Sequence, residues 1–252
     1  MSSRIRAAAA DPGRWPIVLR GGDRRARARP WWNDPTVAQL TFIDQGLVPS
    51  STALRVWLGD LRAHGFESVR TGAVTDSGAD TLQRQGFETL QTLRLLDLAL
   101  IGWQPPTVGA CRTRTRRLRD RERASAAILD AAAFGPYWAL DSLGIEETCA
   151  ATPARRARAV DDSARLAGYA VTGRADRTGY LQRLAVDPDH QGSGIGTSLT
   201  LDSLAWMQRR RLTRAIVNTH ADNDVALRLY RRMGFRILPH GLVVLTRTLT
   251  DI

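Results

Sequence analysis

The chain has 252 residues, 43% of them hydrophobic and 24% charged, and a formal net charge of +11. That length allows one large or two small domains, each with its own core. All 36 residues of the Lys+Arg count are arginine, so a Walker phosphate loop, a protein-kinase strand lysine and a pyridoxal Schiff base are excluded together.

No apolar run approaches the ~20 residues of a membrane span, and Met1 to Ala10 lacks the apolar block of a secretory signal. A cytoplasmic protein without a membrane segment is expected. Cys111 and Cys149 are too few for a disulfide framework and form no CxxC pair. The histidines (His64, His190, His220, His240) are too far apart for a metal pair on one helix, and no metal site is expected. The arginines cluster at Arg24 to Arg29, Arg112 to Arg123, Arg155 to Arg158, Arg209 to Arg214 and Arg228 to Arg236. Such clusters can neutralise phosphates, but they are scattered and no nucleic-acid motif accompanies them. A solvated basic face is the stronger reading and a nucleic-acid binder the weaker one.

In chain order, the first half shows a helix ending at Leu82 to Gln85, a Gly86-Phe87 turn and an apolar stretch from Leu93 to Leu100. The run Gly102-Trp103-Gln104-Pro105-Pro106-Thr107-Val108-Gly109 cannot continue a helix or strand, which divides the chain into about 1–103 and 110–252. In the second part, Arg114 to Arg119 reads as a strand. Arg121 to Phe134 has helical spacing and is ended by Pro136, and Asp141 to Ala150 is a second helix. Ala157 to Asp161 and Leu166 to Thr172 are short strands, followed by a stronger one from Tyr180 to Val186. Helices are expected over Ile195 to Arg210 and Asn223 to Met233, with a strand at Arg214 to Asn218 between them. Phe235 to Leu238 and Leu242 to Leu249 close the domain.

A shift of 148 residues aligns Gly86-Phe87 with Gly234-Phe235, Ser68-Val69 with Ile216-Val217 and Ala79 with Leu227. The first half is therefore read as an internal repeat of the second.

The segment Leu184-Ala185-Val186-Asp187-Pro188-Asp189-His190-Gln191-Gly192-Ser193-Gly194-Ile195-Gly196-Thr197 carries the chemistry. A strand ends at a proline, glycines follow, and a helix begins. Glycines bring bare amides close to a ligand, and a helix N-terminus attracts anions without any lysine. The spacing is not that of a dinucleotide fingerprint, because the required final glycine is Thr197. Further on, Asn223 and Tyr230 stand seven residues apart, on one face of their helix.

Taken together, Leu-Ala-Val-x-Pro, Gln-x-x-Gly-x-Gly and Asn-x-x-Ala-x-x-Leu-Tyr-x-x-x-Gly-Phe resemble the GCN5-related N-acetyltransferase (GNAT) superfamily. The resemblance covers about 140 residues. It implies an α/β fold of the α+β type, with a mixed, mostly antiparallel sheet flanked by helices and two central strands that splay apart to admit acetyl-CoA. The backbone of Leu184, Ala185 and Val186 would pair with the pantetheine arm. Gln191, Gly192, Ser193, Gly194, Ile195, Gly196 and Thr197 would wrap the pyrophosphate. Asn223 would bond pantetheine, and Tyr230 would sit by the thioester sulfur as the general acid.

The implied reaction is acetyl transfer to a primary amine of a small molecule or peptide. Alternatives are a non-enzymatic acyl-CoA sensor and the nucleic-acid binder. Gln182, where some relatives carry glutamate, cannot act as a base. That leaves Asp141, Glu146, Glu147, His220 and Asp222 as candidates. Phe134-Gly135-Pro136-Tyr137-Trp138-Ala139-Leu140 either lines the acceptor pocket or staples helices. In the first half Thr75 and Leu82 replace Asn223 and Tyr230, and Asp44 to Pro49 keeps one glycine and gains a proline that lacks an amide donor. That half reads as a shortened, catalytically empty GNAT repeat, and a homodimer is left open.

Overall fold

The computed structural model describes residues 15–22, 24–43, 48–107, 113–163 and 165–249. Two units emerge, one formed by Met1–Arg94 with Pro239–Ile252 and the other by Leu95–Leu238. This differs from the expected division at 103 and 110, because the last strand of the chain belongs to the first unit.

The first unit contains β1 (Ile17–Gly21), β2 (Arg24–Pro30), β3 (Val37–Phe42), α1 (Ser51–Ala63), β4 (Ser68–Thr71), β5 (Val74–Thr75) and α2 (Asp76–Gln83). It also holds the first part of β6 (Glu88–Ala99). The strand order is β1-β2-β3-β4, then the C-terminal strand Leu242–Thr248, then β6. Among the described residues of this unit only β3 and β4 pair in parallel, from Val37↔Ser68 to Leu40↔Thr71. Alternation in β3 buries Ala38, Leu40 and Phe42 on one face. They meet Leu54, Trp57, Leu58 and Leu61 of α1, and Leu245 closes the same core. Ser50 caps α1, its side chain accepting from the amide of Ala53 at 3.3 Å.

The second unit continues with the end of β6, then β7 (Arg116–Arg117), α3 (Arg123–Phe134), α4 (Ser142–Ala150), β8 (Ala154–Asp162), β9 (Arg165–Ala175) and β10 (Thr178–Val186). It is completed by α5 (Ile195–Arg209), β11 (Arg214–His220), α6 (Asp224–Arg232) and β12 (Arg236–Ile237). The final strand, β13 (Leu242–Thr248), lies in the first unit. Strand order here is β6-β11-β10-β9-β8-β7, and β10 and β11 are parallel while β8, β9 and β10 are antiparallel. The sheet is thus mixed and mostly antiparallel, as expected.

One apolar cluster joins the α5 residues Leu199, Leu204 and Met207 to Leu227, Leu229 and Tyr230 of α6. A second joins Ala126 and Leu129 of α3 to Ile145, Tyr169, Val171 and Ala185. Each fully buried leucine contributes about 2 kcal/mol.

Several expected elements change length. The strand read at Arg114 to Arg119 shrinks to two residues, because the chain turns at once into a short 3-10 helix over Asp120–Glu122. The strands β8 and β9 are longer than their hydrophobic runs. In β8 the arginines Arg156 and Arg158 are half-buried and pair with Asp202 of α5, so charged residues occupy positions that alternation would give to apolar ones.

The internal repeat is visible as structure. The parallel pair β3–β4 with α1 between its strands corresponds to β10–β11 with α5, and α2 corresponds to α6. Gly86 and Gly234 both have positive φ, 79° and 94°. Asp44 to Leu47, the first part of the first half's loop, and Cys111 lie outside the described residues. Among the described residues, no helix is long and apolar enough to cross a membrane.

Candidate active site

The parallel pairing of β10 with β11 runs from Thr178↔Arg214 to Leu181↔Val217 and stops there. Both strands continue, β10 to Val186 and β11 to His220. On its other side β10 stays paired with β9 through Val186↔Gly168. Beyond Leu181 the β11-facing edge of β10 is therefore a row of backbone donors and acceptors without a ladder partner, the edge that an extended ligand can join as an extra strand. Leu184, Ala185 and Val186 lie on this stretch. Leu184 and Val186 pack toward the α5–α6 cluster, and Ala185 is buried against α3 and α4.

The parting begins at a bulge. The register with β9 shifts between Leu181 and Arg183, leaving Gln182 as the extra residue. The bulge sends both Gln182 and Arg183 toward α3 and α4. The Gln182 amide lies against Gly173 and Thr152, and Arg183 reaches Asp130 of α3.

Past Val186 the chain enters a one-turn 3-10 helix over Pro188–His190, fixed by the Asp187 side chain accepting from the amide of Asp189 at 2.9 Å. Gln191, Gly192 and Ser193 are exposed and lead into α5. Gly192 and Gly194 have φ of 82° and 88°, values that side chains other than glycine rarely adopt. Gly194 is the N-cap, and no side chain caps this helix. The amides of Ile195, Gly196 and Thr197 have no intrahelical acceptor, as in any first helical turn. Fifteen aligned peptide units put their positive dipole end at the same place. The turn is braced from behind, since the carbonyl of His190 accepts from the hydroxyl of Ser193 at 2.5 Å and its ring sits 2.9 Å from Asp162. Asp162 raises the pKa of His190, with a smaller contribution in the same direction from Asp187.

Asn223 is the N-cap of α6, its Oδ1 accepting from the amide of Ala226 at 3.0 Å. The cap consumes the side-chain acceptor and leaves the NH2 group as the part able to address a ligand. Two turns on, Tyr230 is buried, its ring in edge contact with Phe235 at 5.7 Å. Burial pushes its pKa well above that of a free phenol, and the charge of Arg183 opposes that shift. Such a hydroxyl keeps its proton at neutral pH and can donate a hydrogen bond.

The sequence reading missed the most heavily bonded group in the unit. Asp130, in the middle of α3, is completely buried. It accepts from the Tyr169 hydroxyl at 2.5 Å, from the Leu140 amide at 2.6 Å and from Arg183 Nε at 2.8 Å, with a second, shorter bond from Arg183 Nη2. Arg183 Nη2 also donates to the carbonyl of Trp138 at 3.0 Å, and the guanidinium lies 3.5 Å over the Phe134 ring. Asp130 and Arg183 thereby tie the Phe134 to Leu140 segment to the bulge of β10. Phe134 is part of this clamp, whereas Tyr137 is exposed.

The candidate bases fare unequally. Asp141 caps α4, accepting from Gly144 at 2.7 Å. Glu146 pairs with Arg123 at 3.3 Å, and Glu147 has a partner of its own. His220 ends β11 beside the parted strands, and its Nδ1 accepts from the Asp222 amide at 3.2 Å. Some of the arginine charge is also engaged within the fold, Arg116 with Asp161 and Glu122, and Arg214 with Asp97.

In the first unit, the matching helix ends differ. Ser50 fills the N-terminus of α1 with its own side chain. Thr75 makes no capping bond at α2, and Leu82 is wholly buried where the second unit has Tyr230.

A mixed sheet with parted parallel strands, a glycine turn and an uncapped helix at the mouth defines the acyltransferase fold of the GNAT type. The chain matches the Acetyltransferase (GNAT) family over residues 125–235. It is 29% identical over 190 residues to a mycothiol acetyltransferase of Renibacterium salmoninarum, which covers 69% of this chain and 56% of that protein. It is 40% identical over 78 residues to the mycothiol acetyltransferase of Actinosynnema mirum, covering 31% of this chain and 26% of that protein. The aligned parts thus span about half or less of these relatives. Among solved structures, a tandem GNAT protein from the clavulanic acid biosynthesis pathway shares the fold, with a TM-score of 0.63 at 17% identity. That match covers 92% of this chain and 82% of the other.

Proposed function

We propose that the second unit is an acyl-CoA-dependent N-acetyltransferase that moves acetyl from acetyl-CoA to a primary amine by direct attack on the thioester. The observation that carries this reading is the parting of β10 from β11 after Leu181↔Val217, with the glycine turn at its mouth. The open edge of Leu184 to Val186 suits the amides and carbonyls of a pantetheine arm. The amides from Gln191 to Thr197, at the positive end of α5, suit a pyrophosphate. The NH2 group of Asn223 would donate to a pantetheine carbonyl.

A backbone N–H on the open edge would hold the oxyanion that develops during attack, where a fixed donor contributes most. Tyr230 would protonate the departing thiolate. Its hydroxyl is protonated at neutral pH and is therefore available to donate to the sulfur, although burial in the fold makes it a weaker acid than a free phenol. In the first unit the corresponding helix N-terminus is closed by Ser50.

The test is thiol release from acetyl-CoA by the full chain over a panel of primary amines, including a mycothiol-type acceptor because of the names of its relatives. Amine-dependent release with a mass gain of one acetyl on the acceptor is the expected result. Saturable CoA binding without release for any amine would instead make the protein a binder.

A further inference from the structure

We propose that His190 is a positioning residue for the anionic cofactor, and that the protein's hold on that cofactor weakens as the His190 ring loses its proton. This rests on the acyl-CoA reading of the glycine turn and adds a pH control to it.

The backbone of His190 is built into the turn. Its amide donates to the Asp187 carbonyl at 2.9 Å. Its carbonyl accepts from the Ser193 amide at 3.4 Å and from the Ser193 hydroxyl at 2.5 Å. The ring meets carboxylates on two sides. Nε2 lies 2.9 Å from Asp162 Oδ2 on the β8–β9 hairpin, and Nδ1 lies 3.5 Å from Asp187 Oδ1 at the end of β10. Nδ1 is closed to solvent and makes no shorter hydrogen bond among the described residues.

A neutral imidazole carries one N–H and one lone pair, whereas the imidazolium carries two N–H groups. With a carboxylate at each nitrogen, the neutral ring serves one and turns a lone pair toward the other. The charged ring suits both. The remaining charged groups around it are few. Asp161 is bound by Arg116, Asp189 is exposed in the turn itself, and the first turn of α5 has no acidic residue. Arg165 stands opposite Asp162 in the hairpin, and the two form no ion pair among the described residues.

Loss of the ring proton therefore leaves Asp162 and Asp187 without their shared cation, directly before the turn from Gln191 to Thr197 that would wrap the pyrophosphate. Two effects then act together: the carboxylates repel the anion, and the tie between turn and hairpin is halved. Asp162 favours the charged ring, burial opposes it less strongly, and Asp187 adds to the support, so the change falls above the ordinary histidine value of ~6.5.

The experiment is isothermal titration of the full chain with 3′-dephospho-CoA from pH 6 to pH 9. That probe keeps the pyrophosphate and lacks the phosphate monoester, which itself titrates near pH ~6. A charge lost within a Debye length (~10 Å at 0.1 M salt) of a dianion changes affinity a few-fold, so Kd should rise roughly three- to tenfold across the range. His190→Gln should bind weakly already at pH 6 and show no such rise. His190→Arg, a permanent cation, should keep the tighter binding up to pH 9. Asp162→Asn, which removes the larger support of the charged ring, should move the rise to lower pH. The chain has four histidines, so the proton resonance missing from His190→Gln identifies this ring, and the rise in Kd should begin where that resonance titrates in the free parent. A Kd that is constant from pH 6 to pH 9, or that rises equally in the parent and in His190→Gln, would overturn the inference. Binding of neither dephospho-CoA nor CoA at any pH would instead overturn the acyl-CoA reading itself.

Discussion

The substitution Asp130→Asn tests the clamp that holds the Phe134 to Leu140 segment against β10. The side chain keeps its shape and one carbonyl oxygen, so the Leu140 amide can stay bonded. Its new NH2 group, however, would face Arg183 Nε, another donor, and the guanidinium loses its counter-charge. Asp130 is completely buried and the Arg183 side chain is 17% exposed, so solvent screens little of this loss. Removing one partner of a buried ion pair costs about 3–5 kcal/mol. For a chain of this size each kcal/mol moves Tm by about 2–4 °C, so a fall of roughly 10 °C is expected. Thermal unfolding followed by circular dichroism is the assay. The double substitution Asp130→Leu with Arg183→Met should recover most of the loss, because a well-packed apolar pair needs no charge compensation. A single variant within 1 °C of the parent, or a double variant no better than the single, would refute the argument that charge pairing holds this segment.

Three further outcomes follow from the site. Tyr230→Phe should lower kcat by about 10²–10⁴-fold, with KM for acetyl-CoA within about threefold, as measured by thiol release; unchanged kcat would remove the acid role. Gly194→Val should raise KM for acetyl-CoA more than tenfold and cost about 1–2 kcal/mol, since φ of 88° suits no β-branched residue; isothermal titration with CoA checks the first part and unfolding the second. Asp162, and to a smaller extent Asp187, favour the charged form of His190, so its folded pKa lies above the unfolded value. Its contribution to stability is full below about 6.5 and fades as pH rises through the raised pKa. The Tm difference between the parent and His190→Gln should therefore shrink from pH 6 to pH 9, and a constant difference would count against the pairing.

The motif that carries the site was legible because its physics is local. A strand run, a proline stop, two glycines at positive φ and a helix start lie within fourteen residues, and the Asn223–Tyr230 spacing needs only the pitch of one helix. The clamp was not legible. Asp130 lies mid-helix, where a charge reads as solvated, and its partners Tyr169 and Arg183 are 39 and 53 residues away. Arg183 itself stands in a run that alternation alone would place differently, because the bulge at Gln182 resets which side each residue faces. The strand β9 was read short because Ala167 to Gly173 is buried on both faces, which removes the alternation that marks a strand with one wet face. The destination of Leu242 to Leu249 could not be read either. An apolar strand carries no label saying which of two similar units it will complete.

That last strand has a consequence for how the protein is made. The hydroxyl of Thr246 bonds the carbonyl of Val69, a partner 177 residues earlier, and Leu245 and Leu249 lie in the core of the first unit. During synthesis the N-terminal unit can assemble β1 to β4 early, but the place beside β4 stays open until Leu242–Thr248 leave the ribosome. The second unit, complete by Leu238, can mature first although it is translated later. A chain released before residue 242 would hold every strand of the second unit, but its first unit would keep an unpaired edge at β4.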